Sequence, residues 1–407
     1  MSPPASPPIP RTRWLLVLLL CGGGVLAGGQ FAKVAAGLAQ LQAAYGVSSA
    51  RLGLLLSTVG VMGLVFGVVA GSLAPRLGYR RLLVLGLAGG ALLSGVQALL
   101  PPYALFWASR VPEGLSHLAI MVATPTLLIH ITAPAQRTAV MGLWATVVGL
   151  AFALAAGLDR LVPGGLSAGQ LLAGHALLMA AAALAVRVGV PNLPPAPATP
   201  RPPGGPLALH RAVYADLRTA LPGLAFFFYA FPTIALITFV PRFVGVGQAG
   251  FVTLLPLMAT GGTLAAGWAA RRLGAGLRGV RWAYAAFALS ALALALAARW
   301  GGPTEGLALL TLACAGLCGG AASTLIPQLN PTPDGQARAS GALVQLGNLG
   351  SVCGPPLFGL VAELAGPAGL GSLAGVAALA VLTAAAALGM LAWVQRSGLP
   401  ASREPSP

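Results

Sequence analysis

The chain has 407 residues, 57% of them hydrophobic and only 7% charged, against roughly 25% charged in an average soluble protein. No water-soluble fold of that size covers its surface with so few charges. The formal net charge of +16 does not mark a nucleic-acid binder either, because the arginines lie between apolar runs rather than along one basic stripe. What remains is an all-α membrane protein, with apolar runs of about 18 to 25 residues, each long enough to cross a hydrocarbon core of ~30 Å.

Residues 1–13 begin Pro- and Ser-rich and are expected to form a disordered cytoplasmic N-terminus. Arg11 and Arg13 followed by Trp14 to Leu20 have the outline of a signal peptide. Leu20 is too bulky to precede a lipoprotein cleavage site at Cys21, however, and the apolar run continues to Ala32, so this stretch reads as an uncleaved first span. About 12 spans follow from the pattern. An N-terminal six-helix bundle (residues 14–190) holds spans near 14–36, 50–73, 82–100, 103–129, 138–158 and 168–190. Residues 191–216 carry eight prolines, from Pro191 to Pro206, a composition that reads as a cytoplasmic linker rather than a span. A C-terminal six-helix bundle (217–396) holds spans near 219–240, 249–270, 280–299, 304–328, 339–362 and 370–395, before a cytoplasmic tail at 397–407.

Arginine placement sets the expected orientation. With the N-terminus inside, about 17 of the 23 Lys and Arg residues fall in cytoplasmic segments and about 4 in outer loops. Both termini are then cytoplasmic, and the expected location is the cytoplasmic membrane.

Two echoes point to duplication. Gly71-Ser-Leu-Ala-Pro-Arg-Leu-Gly-Tyr-Arg-Arg81 lies between spans two and three, and Gly267-Trp-Ala-Ala-Arg-Arg-Leu-Gly274 lies after span eight, with Arg76, Leu77 and Gly78 opposite Arg272, Leu273 and Gly274. Pro134-Ala-Gln-Arg-Thr-Ala139 is similarly echoed by Pro333-Asp-Gly-Gln-Ala-Arg-Ala-Ser340. Repeated six-span halves predict a cavity between them near the midplane.

These residues carry a family resemblance that covers nearly the whole chain: the sequence resembles the major facilitator superfamily (MFS) of secondary transporters. The family's loop between spans two and three is matched by Gly71, Arg76, Gly78, Arg80 and Arg81, but Pro75 stands where the family has an acid. That acid helps latch the two halves on the cytoplasmic side, so the resemblance implies the fold and leaves the usual latch in doubt. Arg110-Val-Pro-Glu-Gly-Leu-Ser-His117 is similar to the family's Arg-x-x-x-Gly element, whose arginine is linked with proton coupling or substrate handling. Span five lacks the Gly-Pro-rich pattern of drug/proton antiporters, whereas span eleven has something closer to it in Gly347-Asn-Leu-Gly-Ser-Val-Cys-Gly-Pro-Pro356.

Ionisable groups inside spans are functional candidates because each costs several kcal/mol unless paired or facing water. Arg110, Glu113, Gly114 and His117 stand at i, i+3, i+4 and i+7 on one helical face. Glu113 and His117 are the proton-coupling candidates, and a purely structural ion pair is the bland alternative. Lys33, the only lysine, sits near the outer end of span one with Gln30 one turn before it. Its expected depth matches that of Arg110, and two cations at one level would attract an anionic solute; a lysine snorkelling to the headgroups is the alternative. Gln345 and Asn348 share a face of span eleven and either contact solute or glue helices. The substrate-binding candidates are thus Lys33, Arg110, Gln30, Gln345 and Asn348. His175, alone in span six, reads as a packing residue, and Cys314 and Cys318 as small buried hydrophobes without a His or acid nearby to complete a metal site.

No Gly-x-x-x-x-Gly-Lys loop, His-Glu-x-x-His run or Gly-x-Ser-x-Gly elbow is present. The expectation is a non-enzymatic, cofactor-free and monomeric secondary transporter for a small organic anion or polar metabolite, working by alternating access with proton coupling. Drug efflux by antiport is a second reading, and a non-transporting sensor or scaffold on the same fold is a third.

Overall fold

A computed structural model describes residues 11–161, 165–191, 205–244, 249–273, 276–364 and 370–397. Fifteen helices account for almost all of them. Before the linker come α1 (Trp14–Ala36), α2 (Leu38–Tyr45), α3 (Ser49–Leu77), α4 (Tyr79–Ala98), α5 (Tyr103–Ile131), α6 (Arg137–Ala145), α7 (Val147–Leu161) and α8 (Ala168–Gly189). The linker contributes α9 (Gly205–Ala215). After it come α10 (Leu217–Phe239), α11 (Ala249–Leu273), α12 (Gly276–Trp300), α13 (Thr304–Leu329), α14 (Pro333–Leu364) and α15 (Leu370–Ser397).

Ten of these helices are long and apolar enough to cross a membrane, and the α6–α7 pair, bent by 47°, makes an eleventh span. The twelfth is α14, 32 residues long and packed between α10 and α3. The bend in span five has a local cause. Thr146 turns its hydroxyl back onto the Leu143 carbonyl at 2.7 Å while its own N–H bonds the same carbonyl, which tightens the helix and breaks the ladder there. Part of the proline-rich linker is helical after all: α9 begins at Gly205, once the dense prolines at 191–203 have passed, and its 11 residues are too few to span.

With both termini at one end, called here the terminal end, the opposite end is the distal end. At the distal end one apolar core runs through both halves, from Val34, Leu38 and Leu55 to Leu236, Phe239 and Val240. At the terminal end the N-terminal half keeps a separate core, around Leu20, Leu83, Leu127 and Val186. The halves meet along α3–α14 and α7–α11. Small residues let these backbones approach, as membrane helices require when lipid is as apolar as leucine. A Cβ on Gly53 would lie 2.6 Å from the Pro355 carbonyl oxygen, and one on Gly359 would lie 2.6 Å from that of Ser49.

The same logic explains the glycine-rich stretch of span eleven. Gly347, Gly350 and Gly354 face α10, where a Cβ would strike Phe226, the Phe227 carbonyl and the Phe231 carbonyl respectively. That stretch is a packing face inside the C-terminal half.

Candidate functional site

Two ion pairs meet at one carboxylate. Lys33 Nζ on α1 is 2.6 Å from Glu113 Oε1, and Arg110 Nη1 is 2.5 Å from Glu113 Oε2. Arg110 and Glu113 are completely buried and Lys33 is 4% exposed. The i, i+3 spacing on α5 brings Arg110 and Glu113 together, and the lysine reaches in from α1. Gly114 permits the packing behind them, since a Cβ there would lie 2.4 Å from the Val59 carbonyl of α3.

Neutral groups complete the shell. Gln97 on α4 donates to Glu113 Oε2 at 2.7 Å and to Ser109 at 3.0 Å. Arg110 Nε donates to the Leu55 carbonyl at 2.8 Å and Nη2 to the Gln30 carbonyl at 2.8 Å, tying α5 to α3 and α1. Gln30 donates to Ser116, which donates to the Gly86 carbonyl. Charged hydrogen bonds in a low-dielectric interior are strong when every partner is present and costly when one is lost. The cluster carries two cations and one anion, a surplus of one positive charge.

Lys33 and Arg110 therefore do not stand as two free cations. Both are held by Glu113 inside the N-terminal half, Lys33 turned toward α4 and α5 and Arg110 toward α3 and α1. A cavity of about 380 Å³ lies beside them at the distal end, lined by Ala32, Ala35, Phe152, Ile237, Thr238 and Arg242 among others, with neither cation in its wall. The cavity-facing positions 32, 35 and 36 lie roughly 100°, 160° and 60° round α1 from Lys33, all to the same side, because successive residues turn by about 100°.

His117 sits next to the cluster rather than in it. Its Nδ1 is 3.1 Å from the Ala27 carbonyl and its ring stands edge-on to Phe31 at 5.2 Å. Gln345 bridges the halves: its amide donates to the Leu64 carbonyl of α3 at 2.8 Å, lies 3.0 Å from His210, and accepts from Tyr214 at 2.7 Å, which docks α9 on the α3–α14 seam. Asn348 packs against Gly60 and Gly63 of the opposite half, where a Cβ on Gly63 would lie 2.4 Å from its amide nitrogen. Gln345 thus hydrogen-bonds across the seam, whereas Asn348 donates to the Val344 carbonyl of its own helix at 2.8 Å.

The loop motif is a turn with a cap. Gly78, at φ 80°, is the single residue between α3 and α4, a conformation that favours glycine. Arg80 reaches the last carbonyls of α8, at 3.2 Å from that of Val190 and 3.4 Å from that of Arg187, where a cation suits the helix end. Arg81 is exposed, and Arg272 lies 5.7 Å over the Trp268 ring. Gly71 and Arg76 belong to α3 but their side-chain surroundings lie outside the described residues, as does Gly274 altogether.

The sequence reading missed Ser94, Gln97, Ser109 and Ser116, and assigned His175 to packing alone. A signal existed for two of them: Ser94 and Gln97 are the only side chains in span three with hydrogen-bonding groups beyond its first turn, and they stand three apart on one face. At the distal end Arg242 donates to Ser49 at 3.0 Å and to Gln42 at 2.6 Å across the halves, while Glu363 accepts from the Ser49 backbone N–H at the start of α3.

Twelve spans in two packed halves, with a buried charge cluster in the first, define a multi-pass helical membrane protein of the transporter class. The model of the Major Facilitator Superfamily matches residues 18–332, and the chain belongs to that family. No curated protein sequence matches it significantly. Among solved structures it is similar to a bacterial homologue of the human lysosomal transporter Spinster, in an inward-facing and occupied conformation, at TM-score 0.77 and 15% identity over 99% of this chain and 100% of the other. It is also similar to the nucleoside transporter NupG, at 0.70 and 16% over 92% and 98%, and to the human organic anion transporter MFSD10, at 0.62 and 21% over 93% and 100%. At these identities the likeness is one of fold.

Proposed function

We propose that the protein is a secondary active transporter of a small organic anion or polar metabolite, working by alternating access with proton coupling at Glu113. One observation carries this reading: a single buried carboxylate holds two buried cations that belong to two different helices. A proton on Glu113 removes the anion that joins Lys33 to Arg110. It loosens α1 from α5 and leaves two cations in need of a counter-ion, which an anionic solute supplies. The resulting order, proton and anion bound together and released together, is that of a symporter.

His117 assists by fixing α5 against α1 through the Ala27 carbonyl. Gln345 and Asn348 act at the seam on which the halves rock. With both termini in the cytoplasm, as the arginine bias supports, the fused apolar core closes the outer side and the separate core lies inward. A solute class of organic anions agrees with the cluster's surplus positive charge, and one structural neighbour bears the name of an organic anion transporter.

The test is the purified protein in sealed vesicles with an internal pH dye, challenged with panels of organic anions and cations under an imposed proton gradient. Proton flux triggered by an anion, and lost in Glu113→Gln, is the expected result. Flux with organic cations alone, or anion-driven flux that survives Glu113→Gln, overturns the assignment.

A further inference from the structure

A third line of hydrogen bonds leaves the charge cluster in a direction that coupling at Glu113 does not use. Lys33 Nζ donates to Ser94 Oγ on α4 at 2.6 Å, and Ser94 Oγ is 3.0 Å from His175 Nδ1 on α8. The other imidazole nitrogen, Nε2, is 2.8 Å from the Leu26 carbonyl, which can only accept, so Nε2 carries the hydrogen and Nδ1 is the acceptor. Ser94 must therefore point its own hydrogen at Nδ1 while its oxygen receives one from Lys33. Ser94 is completely buried and His175 is 8% exposed.

The path is built into the packing. The imidazole lies directly over Gly29 of α1, where a Cβ would stand 2.8 Å from Nε2 and 2.9 Å from Cδ2. The charged groups that face His175 are Lys33 from α1 and Arg110 and Glu113 from α5, and α4 contributes the Ser94 hydroxyl.

We propose that Ser94 and His175 form a proton relay that exchanges the ammonium proton of Lys33 and so gives the transport site a second proton-accepting position on α8. This rests on the transport reading above. In the relay step Lys33 passes one proton to Ser94 Oγ as the Ser94 hydroxyl passes its own to His175 Nδ1. The Lys33 N–H and Ser94 O–H bonds break as a new Ser94 O–H and a His175 Nδ1–H form, leaving a neutral amine, a regenerated hydroxyl and an imidazolium whose Nε2–H still bonds Leu26. The amine keeps two hydrogens and Glu113 keeps Arg110, now as a neutral pair, so the surplus positive charge has moved from the ion cluster to α8. The reverse step recharges Lys33 when an anion arrives.

The experiment compares Ser94→Ala, His175→Asn and the double variant in the vesicle assay, after each is shown to be folded and monodisperse. Asparagine can accept from Ser94 but takes no proton. The expected result is a loss of solute-driven proton flux of at least about tenfold in each single variant, no further loss in the double variant, and an unchanged KM for solute. Wild-type flux in either single variant overturns the relay, and so do losses that multiply in the double variant, the signature of separate structural roles. If the wild-type protein shows no solute-driven proton flux, the transport reading fails first, and imidazole ¹⁵N NMR of the purified protein decides the relay alone. A His175 Nδ1 that is a hydrogen-bonded acceptor in the wild type, and loses that bond in Ser94→Ala, supports it; an Nδ1 signal that Ser94→Ala leaves unchanged overturns it.

Discussion

Lys33 and Glu113, 80 residues apart in sequence, meet at 2.6 Å with less than a twentieth of either side chain exposed. Glu113 is the anion of both ion pairs found among the described residues. Removing it leaves two cations facing each other in a low-dielectric interior, whereas removing Lys33 leaves a charge-balanced Arg110–Glu113 pair.

That asymmetry predicts a ranking. Glu113→Ala is expected to destabilise the protein by about 3–5 kcal/mol, the usual cost of breaking a buried pair from one side, and Lys33→Met by distinctly less. A Lys33→Met/Glu113→Ala double variant is expected to be more stable than Glu113→Ala alone, because only one cation then lacks a partner. Thermal unfolding in detergent, run as a double-mutant cycle, checks the order; equal losses for Glu113→Ala and Lys33→Met contradict it.

The glycine contacts predict two different phenotypes. Gly354→Leu forces a side chain against the Phe231 backbone inside the C-terminal half, where a Cβ alone would lie 1.9 Å from the carbonyl oxygen. It is expected to cost several kcal/mol and to reduce the yield of folded protein. Gly359→Leu meets the Ser49 backbone across the two halves instead, so the halves can relieve the clash by parting at the distal end. Its expected effect is a shift toward the distal-open state, read as faster labelling of a cysteine placed at Ala32, a buried position in the cavity wall, with little change in melting temperature.

Arg242 closes the distal end through Ser49 and Gln42. Arg242→Ala is expected to raise labelling of the same Ala32→Cys reporter by several-fold, on the basis of about 1.5–3 kcal/mol for a charged hydrogen bond, discounted for its exposed position. Unchanged labelling would show that the apolar core alone holds that end shut.

The linker helix makes a pH prediction. Burial pushes the Tyr214 phenol above its ordinary value of 10.0, so the neutral, hydrogen-donating form is the one favoured in the folded state. Its bond to Gln345 is then fully present at neutral pH and is lost only when pH rises past that ordinary value. Limited proteolysis near α9 is expected to be flat from about pH 8 to about 9 and to be faster throughout in Tyr214→Phe. A cleavage rate that climbs within that window in the wild type would mean that another group governs the clasp.

How much of this was legible in the chain differs by element. The spans were legible because a bilayer sets their length and excludes charge, so composition alone counts them. The Arg110–Glu113 pair was legible because helical spacing fixes it within one element. Gly78 declared a turn by type, and the duplicated motif declared two halves. The helical part of the linker was hidden by its prolines, and the break in span five by a threonine that looks ordinary in sequence.

The sequence by itself determined the class of protein, the number of spans and the charged residues worth watching, since each follows from local composition or from spacing on a single helix. Only the tertiary structure decided that Lys33 turns toward Glu113 and away from the cavity beside it, and that Ser94 joins it to His175. The physical reason is that helix rotation and neighbour choice depend on which faces pack together. Gly29 makes room for an imidazole and Gly114 for a backbone, and neither vacancy can be read until the opposing helix is in place.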